Sequence, residues 1–282
     1  MQPINTASYS DRAVGCSQGI MGILNVTPDS FSDGGRFFDA GVAIERGHQL
    51  VKLGADIIDI GGESSRPGAA PVPIEEELRR IIPVITELSK SYRVSVDTFK
   101  PEVAAKAAAA GATLINDISA TLAPVAADYG IGWVAMHMQG SPQTMQHDPL
   151  YHDVVQEVYD YLAEKVNWAS DLGITDIWID PGIGFGKNFA HNLTLLNGLG
   201  KMTELGVPML VGTSRKAFLG TIAKVSTGTE VPPVMRTEVS VSSCTWCYLH
   251  GATMMRVHDV AETKELLNLL SYKPGLTFKA GS

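Results

Sequence analysis

Residues 94–118 read VSVDTFKPEVAAKAAAAGATLINDI, in which an alanine-rich segment separates two short apolar runs. The runs Val94–Thr98 and Leu114–Ile118 contain the β-branched residues that favour strands. The segment Pro101–Ala110 begins with proline, which the first turn of a helix tolerates, and Gly111 then ends the helix. The stretch therefore predicts a strand, a helix and a second strand in direct succession.

The same alternation of a short apolar run and a longer helical pattern occurs eight times along the chain. Most of the runs are continuous, as parallel strands covered on both faces should be. The predicted strands are Ile20–Val26, Asp56–Ile60, Val94–Thr98, Leu114–Ile118, Trp133–Met138, Ile177–Pro181, Met209–Thr213 and Met254–His258. The helices predicted between them include Asp39–Leu53, Ile74–Ser89, Pro101–Ala110, Asp153–Leu172, His191–Glu204 and Ala261–Leu270.

Eight strand-and-helix units in a chain of 282 residues predict an α/β fold, the (β/α)8 or TIM barrel. No linker rich in Pro, Gly or Ser divides the chain, so we predict a single barrel domain at residues 19–272. Residues 1–18 are then an N-terminal extension and residues 273–282 a C-terminal tail. A doubly wound sheet is the alternative, but it needs a glycine-rich turn after the first strand, where residues 25–28 read NVTP.

Composition and charge narrow the classes of function. Hydrophobic residues make up 45% of the chain, which is enough for a sizeable core, and the net charge is −8 with no stripe of basic residues. These features argue against a nucleic acid or an anionic membrane as partner and favour an enzyme that acts on small molecules. Three cysteines, no secretory leader and no apolar run of about 18 residues predict a cytoplasmic protein.

Polar side chains end the predicted strands, which is where a (β/α)8 barrel places its chemistry. The residues at or just after these ends are Asn25, Asp59, Asp97, Asn116, Asp117, His137, Asp180, Ser214, Arg215, Lys216, Arg256, His258 and Asp259. Carboxylates and amides on the middle strands suit a ligand with ring N–H donors, whereas the cationic side chains suit an anion. Each of these residues alone could instead cap a helix or a turn.

Two loops rich in glycine and serine follow the first two strands, at residues 25–35 (NVTPDSFSDGG) and 61–69 (GGESSRPGA). Their hydroxyls and backbone N–H groups could bind a phosphate, and both loops could close over a ligand. Such residues also form ordinary turns, so composition alone leaves both possibilities open.

The residues of these two loops and of six later motifs resemble the dihydropteroate synthase family, and the resemblance spans nearly the whole chain. The first motif is MGILNVTPDSFSDGG at residues 21–35, and the second is the loop at residues 61–69. The later motifs are SVDT at 95–98, INDI at 115–118, MHMQGSP at 136–142, DPGIGFGKN at 180–188, GTSRK at 212–216 and RVHD at 256–259.

This resemblance implies the condensation of 4-aminobenzoate with 6-hydroxymethyl-7,8-dihydropterin diphosphate. The products are 7,8-dihydropteroate, a folate precursor, and pyrophosphate. The resemblance further implies that magnesium (Mg2+) assists the departure of pyrophosphate, that the arylamine attacks afterwards, and that sulfonamides compete with 4-aminobenzoate. It also implies a homodimer formed through the last helices.

The resemblance assigns roles to individual residues of this sequence. The pterin would contact Asp97, Asn116, Met136, Asp180, Phe185 and Lys216. The magnesium ligand would be Asn25, the diphosphate would meet Ser65, Arg66, Arg256 and His258, and Val257 would be a further substrate-binding residue. The 4-aminobenzoate pocket would contain Phe31, Pro67, Gly212 and Ser214. Among these, the groups expected to act in catalysis are Asn25, Arg66, Lys216, Arg256 and His258.

Other polar residues favour a structural interpretation. Asp59 lies in an otherwise apolar strand and is expected to be a buried carboxylate bonded to a loop or to Arg256. His137 stands between two methionines, which is typical of a core histidine. Cys244 and Cys247 have the spacing of zinc ligands, but a structural zinc site needs four ligands, so core packing is the better interpretation.

Two departures from the family pattern are notable. Ser65 stands where many members have threonine, which keeps the hydroxyl. Residues 236–248 (RTEVSVSSCTWCY) replace an alanine-rich helix with β-branched and hydroxyl residues of lower helix propensity. The second departure bears on the dimer more than on the catalytic site.

Two alternative functions are left open by the sequence. A barrel that binds methyl-tetrahydrofolate for a corrinoid methyltransferase would share Asp97, Asn116 and Asp180, but it has no need of a cationic cluster for a diphosphate. A paralogue that binds pterin without turnover would keep the same residues, because sequence does not measure rate.

Overall fold

The computed structural model describes residues 19–27, 40–64 and 68–271, and these contain all eight predicted strands. The strands begin or end within a few residues of their predicted bounds. They are β1 Gly19–Asn25, β2 Ile57–Gly61, β3 Val94–Asp97, β4 Leu114–Asp117, β5 Gly132–Met136, β6 Ile177–Asp180, β7 Leu210–Val211 and β8 Met254–Val257.

The eight strands form one parallel sheet that curves into a barrel. Their order is β6-β5-β4-β3-β2-β1-β8-β7, and every strand pair is parallel. The two outer strands meet at a parallel bridge between Ile179 and Met209, where Ile179 N donates to Pro208 O at 3.0 Å. The predicted (β/α)8 barrel is therefore confirmed, and the doubly wound alternative is wrong.

Helices follow the strands around the outside of the barrel. They are α1 Ala40–Lys52, α2 Ile74–Leu88, α3 Pro101–Ala109, α4 Ala123–Tyr129, α5 Val154–Asp171, α6 Phe189–Asn197, α7 Leu199–Met202, α8 Ala217–Thr227, α9 Thr237–Leu249 and α10 Val260–Leu270. The predicted helix His191–Glu204 is divided at Gly198, where a side chain would meet Val155 of α5, since an added Cβ would lie 2.5 Å from Val155 Cγ2.

Two layers of side chains fill the barrel, and the first of them is apolar. This apolar layer is a separate buried cluster with one residue from each of seven strands, namely Met21, Ile57, Leu114, Val134, Trp178, Leu210 and Met254. Because side chains alternate along a strand, the next residues that face inwards lie two positions further on. Six of them form what we call the upper layer, at the mouth of the barrel: Asp59, Asn116, Met136, Asp180, Gly212 and Arg256.

The helix α9 forms although its sequence has low helix propensity. Its hydroxyls are bonded within the helix, since Ser240 Oγ donates to Arg236 O at 2.6 Å and Ser243 Oγ donates to Ser240 O at 2.6 Å. Cys244 and Cys247 are buried between α9 and the barrel, so the core-packing interpretation of these cysteines is confirmed. Tertiary packing thus outweighs local propensity in this segment.

Within the described ranges, none of the helices combines the length and the apolar character needed to cross a membrane.

The buried carboxylate of Asp117 organises the connection between β4 and α4. Its Oδ1 accepts hydrogen bonds from the backbone N and the hydroxyl of Ser119, at 2.9 and 2.6 Å. Its Oδ2 accepts from Thr121 N at 2.8 Å, from Leu122 N at 2.7 Å and from Trp133 Nε1 at 3.1 Å. Of the two polar residues that end β4, only Asn116 therefore faces the barrel interior.

We expect Asp117→Ala to lower the free energy of unfolding by about 3 kcal/mol, because it leaves several buried donors without an acceptor. Urea denaturation measures this change. The control is Asp160→Ala on the exposed side of α5, where the carboxylate accepts a single bond from Gln156, at 2.8 Å. Equal stability of the two variants would contradict the role given to Asp117.

Candidate active site

A chain of ion pairs and hydrogen bonds crosses the upper layer and is centred on Asp59. Asp59 is fully buried, and its Oδ2 accepts from Arg256 Nε at 2.6 Å and from Asn116 Nδ2 at 3.0 Å. Arg256 also donates through Nη2 to Asp97 Oδ2 at 2.5 Å. The structural interpretation of Asp59 as a partner of Arg256 is therefore confirmed, and the same carboxylate also orients Asn116.

The charges in this network stabilise one another. Burial opposes the charge of Arg256, but Asp59 and Asp97 outweigh it, so the pKa of Arg256 is raised and the guanidinium stays charged. Burial also raises the pKa of Asp97, against the positive charge of Arg256. The guanidinium of Arg256 therefore stays charged between two carboxylates at the barrel mouth.

A second pair of charges lies at the ends of β6 and β7. Asp180 is 5% exposed, and its Oδ1 accepts from Gly182 N at 2.7 Å. Burial raises the pKa of Asp180, and the ammonium of Lys216 is the strongest opposing influence. Burial lowers the pKa of Lys216 to about 8, while Asp180 opposes this shift.

Lys216 also contacts the loop that follows β6. Its Nζ donates to Ile183 O and lies 4.6 Å from the centre of the Phe185 ring. Met136 is buried at the end of β5, where its backbone pairs in register with Asp180. A carboxylate, an ammonium group and two apolar side chains thus occupy one side of the barrel mouth.

The ends of β7 and β8 bring further predicted residues together. Ser214 Oγ lies 3.0 Å from His258 Nδ1 and accepts from His258 N at 3.3 Å. Gly212 faces inwards beside Arg256, since an added Cβ would lie 3.6 Å from Arg256 Cβ. The side chain of Val257 lies instead in the core around the barrel, so it does not join the polar groups at the mouth.

Arg215 supports this arrangement in a way that the sequence did not show. Arg215 adopts a left-handed backbone conformation with φ of 60°, which residues other than glycine rarely adopt. Its guanidinium pairs with Asp259 at 2.5 Å, its backbone N donates to Ser240 Oγ at 3.0 Å, and its carbonyl accepts from Arg236 Nη1 at 3.0 Å. These contacts hold the turn that places Ser214 and Lys216 on the site.

The flanks of the loop after β2 are bound to the barrel by a second buried network. Lys100 Nζ donates to Glu63 Oε2 at 2.5 Å, to Glu77 Oε2 at 2.6 Å and to Val72 O at 2.6 Å. Arg80 Nη1 donates to Gly62 O at 2.8 Å. The predicted residues Phe31, Ser65, Arg66 and Pro67 lie outside the described part of the chain.

The site offers little to a tightly bound metal ion. Within residues 19–27, 40–64 and 68–271, no group of three or more His, Cys, Asp or Glu side chains is arranged to hold one. Asn25 is half-buried at the end of β1 and pairs in register with Gly61 of β2. Its amide oxygen suits a hard cation that takes its other ligands from water and a bound anion, as Mg2+ commonly does.

Lys187 is a further buried cation beside the site. It lies in the loop after β6 and is 2% exposed, and its Nζ is 2.9 Å from His137 Nδ1. His137 is therefore a buried core residue with a hydrogen-bond partner, as predicted. The sequence signal for Lys187 was the DPGIGFGKN motif at residues 180–188, in which it carries the only ammonium group.

Comparison with known proteins relates this geometry to one family. The family model described as "Pterin binding enzyme" matches residues 21–258. The dihydropteroate synthase of Escherichia coli K12 is 44% identical over 259 residues, which cover 89% of this chain and 90% of that protein.

Solved structures agree with this match. Dihydropteroate synthase of Xanthomonas albilineans with 4-aminobenzoic acid superposes with a TM-score of 0.82 at 46% identity, covering 90% of this chain and 92% of the other. The same enzyme in complex with 7,8-dihydropteroate gives a TM-score of 0.78 at 44% identity, with the same coverage of each chain. This chain, with its barrel mouth of carboxylates and cations, belongs to the dihydropteroate synthase family of pterin-binding transferases.

Proposed function

We propose that this protein condenses 6-hydroxymethyl-7,8-dihydropterin diphosphate with 4-aminobenzoate to give 7,8-dihydropteroate and pyrophosphate. The observation that carries the proposal is the buried carboxylate of Asp180 at the barrel mouth, with Lys216 and Arg256 as the main cationic side chains that act on it. A pterin presents an amino group and a ring N–H side by side, and one ionised carboxylate can accept both hydrogen bonds.

The remaining side chains of the upper layer suit the same ring. Asn116 is held by Asp59, so its amide has a fixed orientation for a ring atom. Lys216 would donate to the carbonyl oxygen and ring nitrogen on the edge opposite Asp180. Met136 and Phe185 would cover the two faces of the ring, while Asp97 completes the polar rim.

The cationic groups suit the reacting end of the substrate. In the reaction the C–O bond to the diphosphate breaks and pyrophosphate takes the electron pair, after which the arylamine nitrogen forms a C–N bond and loses a proton. Arg256 and His258 would bind the departing anion, and Ser65 and Arg66 would join them. A positive charge that is in place before the reaction stabilises the negative charge that develops on the departing pyrophosphate, because no side chain has to rearrange.

Magnesium fits this site as an ion shared between the protein and the substrate. We propose that Asn25 contributes one oxygen ligand and that the diphosphate contributes others. When bound there, Mg2+ would neutralise part of the charge of the leaving group. Asn25 orients the diphosphate end towards β1, and Arg256 holds it from the interior of the barrel.

The second substrate would bind nearer the loops. By the family resemblance, Ser214 and Gly212 would contribute to the 4-aminobenzoate pocket together with Phe31 and Pro67. Ser214 is bonded to His258, so this pocket adjoins the groups proposed for the diphosphate. The arylamine would then attack the carbon from which pyrophosphate departs, and sulfonamides would compete for the same pocket.

The alternative functions fit the geometry less well. A methyl-tetrahydrofolate carrier would use Asp97, Asn116 and Asp180 but would gain nothing from burying Arg256, whose charge requires two carboxylates as partners. The cationic cluster therefore favours a diphosphate substrate. A paralogue that binds pterin without turnover differs only in rate, which the assay below measures.

We also propose that the protein is a cytoplasmic homodimer. Exposed apolar side chains on the last helices support a protein partner there, including Trp246 and Leu249 of α9 and Leu269 of α10, which are 41%, 40% and 73% exposed.

Formation of product by the purified protein tests the function directly. With the dihydropterin diphosphate, Mg2+ and 4-aminobenzoate, we expect equal amounts of pyrophosphate and 7,8-dihydropteroate. Asp180→Asn should lower kcat/KM by about 100-fold or more, because the amide presents N–H donors to the N–H donors of the pterin.

The matched control is Asp160→Asn on α5, which should leave kcat/KM unchanged. Pterin binding without either product would favour the non-catalytic paralogue. Failure to bind the pterin diphosphate at all would overturn the proposed site.

Activity should also decline in alkaline solution. The pKa of Lys216 is lowered to about 8, so its ammonium, which donates to the pterin, loses its proton as the pH rises through that value. We therefore expect kcat/KM for the pterin substrate to fall above about pH 8, since this ratio reports ionisation of the free enzyme. Lys216→Arg should move the decline to higher pH, and an unchanged profile in that variant would assign it to another group.

A further inference from the structure

Lys187 is a buried cation to which the proposed reaction gives no role. Its Nζ donates to Gly182 O at 3.0 Å and to Phe185 O at 3.0 Å, and it lies 2.9 Å from His137 Nδ1. An ammonium group has three N–H donors and no acceptor. Each donor therefore meets one acceptor, which is the arrangement expected for the charged form.

His137 completes this arrangement as a neutral acceptor. Burial lowers the pKa of His137 to about 3, and the charge of Lys187 acts in the same direction. Because Nδ1 accepts from Lys187, the ring proton is assigned to Nε2. Lys187 therefore bonds the end of β5 to the loop after β6.

The loop at residues 181–188 packs closely against the segment that follows β5, where only glycine fits at two positions. Gly182 has φ of 67°, and an added Cβ would lie 1.8 Å from His137 O. Gly186 has φ of 59°, and its Cβ would lie 2.4 Å from Gln139 O. Tyr151 Oη donates to Gly186 O at 2.8 Å.

This loop presents the groups that meet the pterin in the proposed site. Asp180 lies at its start, Ile183 O accepts from Lys216, and the Phe185 ring lies against the same ammonium group. Two of the three acceptors of Lys187 are carbonyls of this loop. The position of this loop therefore depends on the ammonium group of Lys187, which binds these two carbonyls.

Lys187 also acts on the charge of Asp180 without bonding to it. Burial raises the pKa of Asp180, and the opposing groups are Lys216, the Gly182 N–H, Arg256 and Lys187. Burial lowers the pKa of Lys187 itself to about 7, with Asp180 opposing this shift and Lys216 reinforcing it. The other groups facing the pair are the ring of Tyr151, 5.9 Å from Lys187 Nζ, the imidazole of His137, and the buried thiol of Cys247, on whose pKa Asp180 acts.

We propose that Lys187 is a positioning residue for pterin recognition, whose buried ammonium both fixes the loop after β6 and helps to keep the Asp180 carboxylate ionised. This role rests on the proposed function, because it concerns the carboxylate that would bind the pterin. Lys187 would make two contributions that can be tested separately, namely its hydrogen bonds to the loop and its positive charge.

Binding of 7,8-dihydropteroate at two pH values tests both contributions. Lys187→Gln keeps two N–H donors and removes the charge, whereas Lys187→Met removes both. At pH 6 we expect the Kd of the Gln variant to be about threefold higher than that of the wild type, because loss of the positive charge leaves Asp180 less ionised, and the Kd of the Met variant to be higher still. At pH 8 the Gln variant should approach the wild type, because the higher pH favours the ionised form of Asp180 in both proteins and Lys187 loses its own proton as the pH passes through about 7.

The control is Lys90→Met, which removes an exposed ammonium paired with Glu87 and should leave Kd unchanged. A Gln variant that binds as tightly as the wild type at pH 6 would overturn the role of the charge. A Met variant that also binds normally would overturn the positioning role entirely. A wild type that binds no dihydropteroate would overturn the proposed function, and this inference with it.

Carbon-13 NMR of aspartate carboxyl groups gives a test that needs no stable Lys187 variant. We expect the Asp180 signal, assigned by its loss in Asp180→Asn, to be that of the ionised form at pH 6. The Asp180 signal should also shift as the pH passes through about 7, because the nearby amino group of Lys187 loses its proton there. A protonated Asp180 at pH 6, or no response near pH 7, would overturn the proposal.

Discussion

Arg256 carries a positive charge into the interior of the barrel, and removing that charge from water is costly unless carboxylates compensate for it. Asp59 and Asp97 supply the compensation through two short ion pairs. The same Asp59 oxygen that accepts from Arg256 also orients Asn116, so strands β2, β3, β4 and β8 are joined across the mouth. An anionic leaving group would therefore meet a charge that is already in place, as electrostatic catalysis requires.

A second balance of charge governs the opposite side of the mouth. Burial of Asp180 raises its pKa and so favours the neutral form, and the cations that face it oppose this shift, of which Lys216 is the strongest and Lys187 a weaker one. In the proposed reaction the first balance would serve the departing anion, and the second would serve the N–H donors of the pterin. Burial of Asp59 and Asp180 above the apolar layer strengthens each interaction, because the local dielectric constant is low.

The sequence predicted the barrel because alternation of apolar runs and helical patterns is a local property. It also placed Asp180, Asn116 and Arg256 at one end of the barrel, since each lies at or near the carboxyl end of a predicted strand. It left the partner of Asp59 open between a loop and Arg256, because pairing between residues 197 positions apart depends on closure of the sheet. The bond between Arg215 and Asp259 escaped prediction for the same reason.

Two further differences between the predicted and the observed structure arise from packing. The predicted helix at residues 191–204 is interrupted because Gly198 lies against Val155, a contact that periodicity does not encode. The helix α9 persists because it packs on the barrel through the buried Cys244 and Cys247, and Ser243 Oγ lies 2.7 Å from Thr213 Oγ1. Lys187 was visible in its motif, but only the loop geometry shows that its ammonium meets three acceptors.

A crystal structure of the protein with 7,8-dihydropteroate is the most direct test of the recognition of the pterin by the upper layer. The amino group and ring N–H of the pterin should both donate to the Asp180 carboxylate, with Lys216 at the opposite edge and the aminobenzoate end directed towards Ser214. A pterin ring bound outside the upper layer, or one that makes no bond to Asp180, would contradict the central role given to these charges.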